Sequence, residues 1–146
     1  MRPLQPAHDD YAAYVKDSFA RQRVMRLLGA KLISVDPGKV DIELAANPEL
    51  SQQNGFLHAG VTTTIADSAG GYAALSLCGK GENVLTTEIK LNFLAPADGN
   101  RFVATGRVIK SGRTLSVCQV EVHVFKADKS VTLCAYGTMS VMRVAA

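Results

Sequence analysis

The sequence predicts an α+β domain in which a strongly curved antiparallel sheet wraps around one long central helix, with a further helix in front. Three observations lead there. Six segments alternate apolar and polar residues in the manner of strands with one buried face. A proline-free run of small and apolar residues, 58–77, separates the first two strands from the last four. A sheet of neighbouring antiparallel strands with a single helix must bury that helix in one layer, so the sheet has to curve over it.

Taken in order, residues 9–28 read as one amphipathic helix. Asp9 or Asp10 can cap it, Tyr11, Val15, Phe19 and Leu27/Leu28 form its apolar stripe, and Gly29 stops it. Arg21, Arg23 and Arg26 fall on its polar face. A hairpin follows: strand 30–35, Asp36-Pro37-Gly38 as the turn, and strand 39–46, where Val40, Ile42 and Leu44 alternate with Asp41 and Glu43. Residues 47–56 are loop and end in Asn54-Gly55. In the helix over 58–77, Gly70 and Gly71 each cost about 1 kcal/mol relative to alanine. Ala66, Ala69, Gly70, Ala73 and Ala74 therefore point to very close packing against the sheet. Strands then run over 85–94, with Ile89, Leu91 and Phe93 on one face, and over 101–110, 115–125 and 131–144. Turns at 96–99, 111–113 and 127–129 join them.

The chain has 146 residues, which suits one domain: a helical segment 1–29 and a core 30–146. Hydrophobic residues make up 47% and charged residues 20%, enough apolar surface to fold around. A net charge of +3 suits an anionic ligand but is too small to argue for nucleic acid. The first residues hold no apolar stretch of the signal-peptide kind, and the best spanning attempt, 59–78, contains Asp67 and three threonines. The expectation is a soluble, cytoplasmic protein without a membrane partner. Cys78, Cys118 and Cys134 are odd in number and widely spaced, which fits small buried residues and no metal site. His8 and His123 read as surface residues, and Tyr72 as packing or as lining of a channel.

The chemistry concentrates in Gln52-Gln53-Asn54-Gly55-Phe56-Leu57-His58-Ala59-Gly60 and, further on, Ala66-Asp67-Ser68. A glycine-containing loop feeds a helix N-terminus, whose first N–H groups are unsatisfied and sit at the positive end of the helix dipole. The N–H groups of Ala59 and Gly60 can polarise a carbonyl and hold an oxyanion. Asp67 is the only acid between Glu49 and Glu82 and lies about two turns beyond Gly60 on nearly the same face. It either bonds to backbone or caps a neighbouring element, or serves as a general base or nucleophile at a subunit interface.

This stretch resembles the hotdog-fold thioesterases of the phenylacetate-degradation type, kin of the 4-hydroxybenzoyl-CoA thioesterases, whose motif is a glycine, two residues, His-Gly-Gly, then an acid along the helix. Gly55, His58, Gly60 and Asp67 match, as do Phe93-Leu94-Ala95-Pro96-Ala97 and the hairpin Lys110-Ser111-Gly112-Arg113. Element order agrees from about residue 30 to 143. There are three departures. Ala59 replaces the first glycine of His-Gly-Gly. Gln52, with Gln53 and Asn54 beside it, stands where the family often has asparagine. The facing-strand hydroxyl corresponds to Thr86 or Thr87.

The resemblance implies acyl-CoA hydrolysis at a homodimer interface, with dimers paired again into tetramers. One subunit would supply the loop and the Ala59 and Gly60 amides, and the other Asp67, as base or as nucleophile. His58 would shape the loop. Gly55, Thr86 or Thr87, and Lys110, Gly112 and Arg113 would meet the substrate, the two cations facing the phosphates of coenzyme A. Coenzyme A belongs to the substrate, and no metal or other cofactor is implied. The alternative is a non-catalytic module that binds acyl-CoA. Such modules typically lose the acid and carry a DNA-binding extension, for which 30 residues are too few. A dehydratase would need a histidine–acid pair in a different arrangement, and nothing in the sequence speaks for a purely structural oligomer.

Overall fold

The computed structural model describes residues 3–146. Helices α1 (Tyr11–Arg21) and α2 (Arg23–Leu28) lead into β1 (Lys31–Asp36) and β2 (Lys39–Ala45). A short 3-10 turn (Pro48–Leu50) precedes the central helix α3 (Ala59–Leu75), and β3 (Glu82–Phe93), β4 (Arg101–Ser111), β5 (Leu115–Phe125) and β6 (Val131–Ala145) follow. The six strands form one sheet in the order β1-β2-β4-β5-β6-β3, with every pairing antiparallel.

Helix α3 touches β2 through β6. Five strands span roughly 19 Å, about twice the width of a helix, so the sheet has to bend around α3 as expected. The strand alternation is realised: Val40, Ile42 and Leu44 on β2 and Cys118, Val120, Val122 and Val124 on β5 are all buried. Helix and sheet touch at backbone level. A Cβ on Gly106 of β4 would fall on the Ala69 carbonyl, and one on Gly70 would fall on Met139 and Val120. The small-residue face of α3 is the complement of that contact. At its far end Ser76 accepts the Gly38 N–H at 2.8 Å, tying the β1–β2 turn to the last turn of the helix.

The N-terminal segment departs from expectation. It is two helices broken at Gln22, whose backbone is extended (φ −80°, ψ 100°). Val15 and Met25 are both fully buried. Ten residues apart on one straight helix they would point about 80° away from each other, and the break brings both inward. It also turns Leu27 out, 82% exposed, off the apolar stripe assigned to it. Asp10 sits at the N-cap position but makes no capping bond; it pairs with Lys80 at 2.9 Å instead. His8 is not a surface residue: its ring lies edge-on to Tyr14 at 5.7 Å, with both nitrogens buried. His123, between the buried Val122 and Val124 of β5, is half-buried.

Strand β3 starts three residues earlier than the alternation suggests and carries a bulge between Thr86 and Glu88. An extra residue flips the side-chain parity of everything beyond it. Val84 and Thr86 before the bulge, and Ile89 and Leu91 after it, can thus face the same way although their numbers differ in parity. Phe93, expected on the buried face, is half exposed at the strand's end. Cys78, Cys118 and Cys134 are buried free thiols. Burial pushes Cys118 up to about 12 and Cys134 up to about 11, so both stay neutral.

Candidate active site

The loop before α3 is held from both sides. Ser51 and Leu57 form a single antiparallel bridge. Inside it, Gln52 N–H donates to Phe56 O at 2.8 Å and Gly55 N–H to Gln52 O at 3.0 Å. Gly55 has φ +88°, a conformation that suits glycine. The Gln52 side-chain carbonyl accepts the Asn54 N–H, so this oxygen is spent on the turn. Leu57 N–H donates to Ala97 O and His58 N–H to Leu50 O, both at 3.0 Å, which anchors the loop to the proline segment and to the 3-10 turn.

His58 is the N-cap of α3, and its Nδ1 accepts the Gly60 N–H at 2.8 Å. Accepting there makes the histidine side chain the cap of the helix, with Nε2 as the ring nitrogen left to donate. One expectation changes as a result: the Gly60 amide is engaged by its own neighbour, and Ala59 N–H is the first-turn donor with no protein acceptor among the described residues. His58, Ala59 and Gly60 are all exposed. Beside them opens a cleft of about 320 Å³, walled by Gln52, Gln53, Phe56, Phe93 and Pro96.

Asp67 projects from the middle of α3 and is half-buried. Thr86 Oγ1 donates to its Oδ1 at 2.6 Å. Thr87, one residue on and facing the other way, donates to Ser140 O at 3.2 Å, so of the two threonines it is Thr86 that meets the acid. Neither a cap nor a backbone bond occupies Asp67, and it forms no ion pair among the described residues. It borders a second cleft, of about 310 Å³, with Gln22, Ser68, Tyr72 and Asn83.

Ser18 and Gln22, which also line this cleft, are not among the residues singled out in the sequence, and Ser68 is there only as the neighbour of Asp67. The signal available was spacing: Ser18/Gln22 and Ser68/Tyr72 are each four residues apart, hence on one face of their helices. Tyr72, read as packing or lining, does both. It is buried, lies edge-on to Phe19 at 5.9 Å and borders the cleft; burial raises its phenol above the usual range, against the hydrogen bond from Ser18.

The β4–β5 hairpin does not join either cleft within one chain. Thr86, Val141, Ser116 and Ser111 lie in one row across β3, β6, β5 and β4. Lys110 and Arg113 at the hairpin are therefore three strand spacings, roughly 14 Å, from Thr86. Both are exposed and unpaired among the described residues. Gly112 donates its N–H to Leu115 O at 2.9 Å. A Cβ there would press on that same oxygen at 2.6 Å, so glycine is what the tight turn requires.

A curved antiparallel sheet wrapped over one long central helix, with two shorter helices in front, is the hotdog fold. The Thioesterase superfamily model matches residues 54–130, and the chain belongs to that family. A thioesterase family protein from Silicibacter pomeroyi is 45% identical, with a TM-score of 0.91 over 93% of this chain and 99% of its own. Human acyl-coenzyme A thioesterase 13 is 33% identical over 98 residues, 66% of this chain and 69% of its own. The Escherichia coli PaaI protein of the phenylacetic acid degradation operon, 19% identical, shares the fold with a TM-score of 0.82 over 93% and 94% of the two chains.

Proposed function

We propose that the chain hydrolyses the thioester of a small aryl- or medium-chain acyl-CoA, with Asp67 acting on the carbonyl that the Ala59 amide polarises. The observation that carries the reading is the state of Asp67. The only acid of α3 is anchored through one oxygen to Thr86 and faces a cleft, and its other oxygen has no partner among the described residues.

Geometry then asks for a second copy. Ala59 and Asp67 are eight residues apart, about 12 Å along the helix. A base and an oxyanion donor must both come within roughly 3 Å of one carbonyl group. One chain cannot meet that condition with these two groups. A homodimer in which the start of one α3 lies opposite the partner's Asp67 can. Strand β3 supports such a dimer: it is a 12-residue edge strand with an unpaired ladder of N–H and C=O groups, ready to continue the sheet. Two dimers can pair again into a tetramer.

In the reaction, Asp67 takes a proton from water as the oxygen adds to the thioester carbon, and the developing oxyanion rests on Ala59 N–H. The C–S bond then breaks and the coenzyme A thiolate leaves, taking up a proton. Alternatively, an Asp67 oxygen attacks the thioester carbon, the C–S bond breaks and the coenzyme A thiolate leaves and takes up a proton, and water then cleaves the resulting anhydride to release the acid and restore the carboxylate. Lys110 and Arg113 meet the phosphates of coenzyme A. Asp67→Asn keeps the Thr86 bond but removes the base, so kcat falls by roughly 10²–10⁴-fold with fold and assembly unchanged. Hydrolysis of an acyl-CoA panel, with size-exclusion chromatography of the same samples, checks it; wild-type turnover in the variant would remove Asp67 from the chemistry.

A further inference from the structure

Helix α2 presents a surface that the hydrolytic step does not use. Residues 18–35 hold no acid and four cations, Arg21, Arg23, Arg26 and Lys31. Arg21 is paired with Asp17, whereas Arg23, Arg26 and Lys31 form no ion pair among the described residues. The break at Gln22 arranges the rest. Met25 is the residue that α2 buries, and Arg23, Val24, Arg26 and Leu27 are all exposed. Residues three and four apart are neighbours on a helix, so Arg23 lies beside Arg26 and Leu27, and Val24 beside Leu27. Lys31 and Ile33, both exposed, follow on β1.

Stability does not ask for this arrangement. A cation in the first turn meets the positive end of the helix dipole, and no acid of α2 offsets Arg23. Leu27, 82% exposed, buries almost nothing. Three features say what the surface fits. It is cationic, so the guest is anionic. It projects, and the clefts described above stop at Gln22, so no groove seats a partner's helix. It holds no aromatic ring on which a nucleic-acid base could stack. A lipid surface meets all three conditions: guanidinium forks bond phosphates at headgroup level while the aliphatic side chains enter the acyl boundary. Among the described residues no helix is long and apolar enough to cross a membrane. The expectation of no membrane partner rested on the lack of a span, which a peripheral contact does not require.

We infer that the outer face of α2 is a peripheral docking surface for anionic phospholipid bilayers, with Val24 and Leu27 entering the bilayer surface and Arg23, Arg26 and Lys31 meeting the phosphates. The inference is independent of the hydrolytic reading. The break at Gln22 is what creates the face: it turns Met25 inward and Leu27 out, beside the two arginines.

The test uses vesicles of phosphatidylcholine alone and of equal parts phosphatidylcholine and phosphatidylglycerol, with bound protein measured by co-sedimentation. The wild-type chain should bind the anionic vesicles at low salt, leave them as salt rises, and ignore the zwitterionic ones. Arg23→Glu with Arg26→Glu should weaken binding by about 10-fold or more. Lys126→Glu with Lys129→Glu, the same charge change at the β5–β6 turn, should leave most of it in place. The chain contains no tryptophan, so Leu27→Trp supplies a single reporter whose emission should shift to the blue on anionic vesicles only. Circular dichroism and size-exclusion chromatography monitor fold and assembly in each variant. No binding to the anionic vesicles would overturn the inference. Capture of soluble poly-glutamate in their place would make the face a site for an acidic protein and overturn it equally. Binding lost to the same extent in both charge-reversed pairs would reduce the effect to net charge. An unshifted emission from Leu27→Trp on vesicles that do bind would show that another surface touches the lipid. Either result removes the assignment to α2.

Discussion

The two ends of the working stretch of α3 are built by opposite means. At its N-terminus everything is local: Gln52, Gly55 and His58 organise the loop through bonds to residues at most four positions away, apart from two backbone anchors to Leu50 and Ala97. Around Asp67 everything is distant in sequence. Thr86 is 19 residues away, and Ser68 reaches back 46 residues to Gln22. The local end is exposed and offers a donor; the non-local end is half enclosed and offers a carboxylate. Neither is a site alone. In the proposed homodimer, the difference teaches that the chain supplies two half-sites and leaves their meeting to assembly.

A second contrast sharpens the role of the acid. Asp41 also sits on hydroxyls, but both of its oxygens are taken: Ser34 donates to one at 2.6 Å and Thr105 to the other at 2.5 Å, with Lys39 at 3.7 Å. Burial pushes its carboxyl up, yet the two hydroxyls and the lysine outweigh that and hold it below its ordinary 3.8. Asp41 is fully committed to structure, whereas Asp67 keeps an oxygen free.

After the loss of Asp67 itself, the largest effect should come from Ala59→Pro. Residue 59 is the first of the helix, where proline is well tolerated, and His58 before it already has the extended backbone that proline demands (φ −61°, ψ 135°). Only the open N–H disappears, so kcat should drop by about 10²-fold with little change in thermal stability. Unchanged turnover would shift the oxyanion contact to Gly60 and force His58 to release it. Next in size, Lys110→Ala with Arg113→Ala should raise KM for acyl-CoA about 10-fold, because each lost phosphate contact costs of the order of a kcal/mol. The rise should be absent for the same acyl group on a short pantetheine-like thiol; an equal rise on both would clear the hairpin of phosphate binding.

The smallest effect tests the structural acid. A depressed native pKa stabilises the fold above the unfolded value and loses that contribution as pH falls through the native one. Thr105→Val should therefore cost about 1–2 kcal/mol in urea unfolding at pH 7. The gap to wild type should shrink below about pH 4, as Asp41 takes up its proton in both proteins. Activity should follow stability only. A penalty that stays constant into acid would mean that Thr105 acts by packing and not through the carboxylate.

What could be read in advance follows the same division. The loop and the acid were legible because their signals are local: Asn54-Gly55 announces a turn, and an acid in a run of small residues stands out. The strands were legible from alternation. The break at Gln22 was not, because no glycine or proline marks it; its cause is the burial of Met25 and the bond from Ser68, both tertiary. The bulge at Thr87 was equally silent, and with it the choice between Thr86 and Thr87. The capture of the Gly60 amide by His58 depends on a side-chain torsion that no spacing reports. Gly106, which lets Ala69 touch β4, looked like any other strand residue until the helix lay against it.

The most direct test of the central claim mixes two inactive proteins. Asp67→Asn and Ala59→Pro copies are unfolded together, refolded at equal amounts and assayed. If each site takes its carboxylate from one copy and its amide from the other, random pairing restores one intact site in every mixed dimer, about a quarter of wild-type activity. If both groups serve the same carbonyl from within one chain, the mixture stays as inactive as its parts, and the two-copy account is wrong.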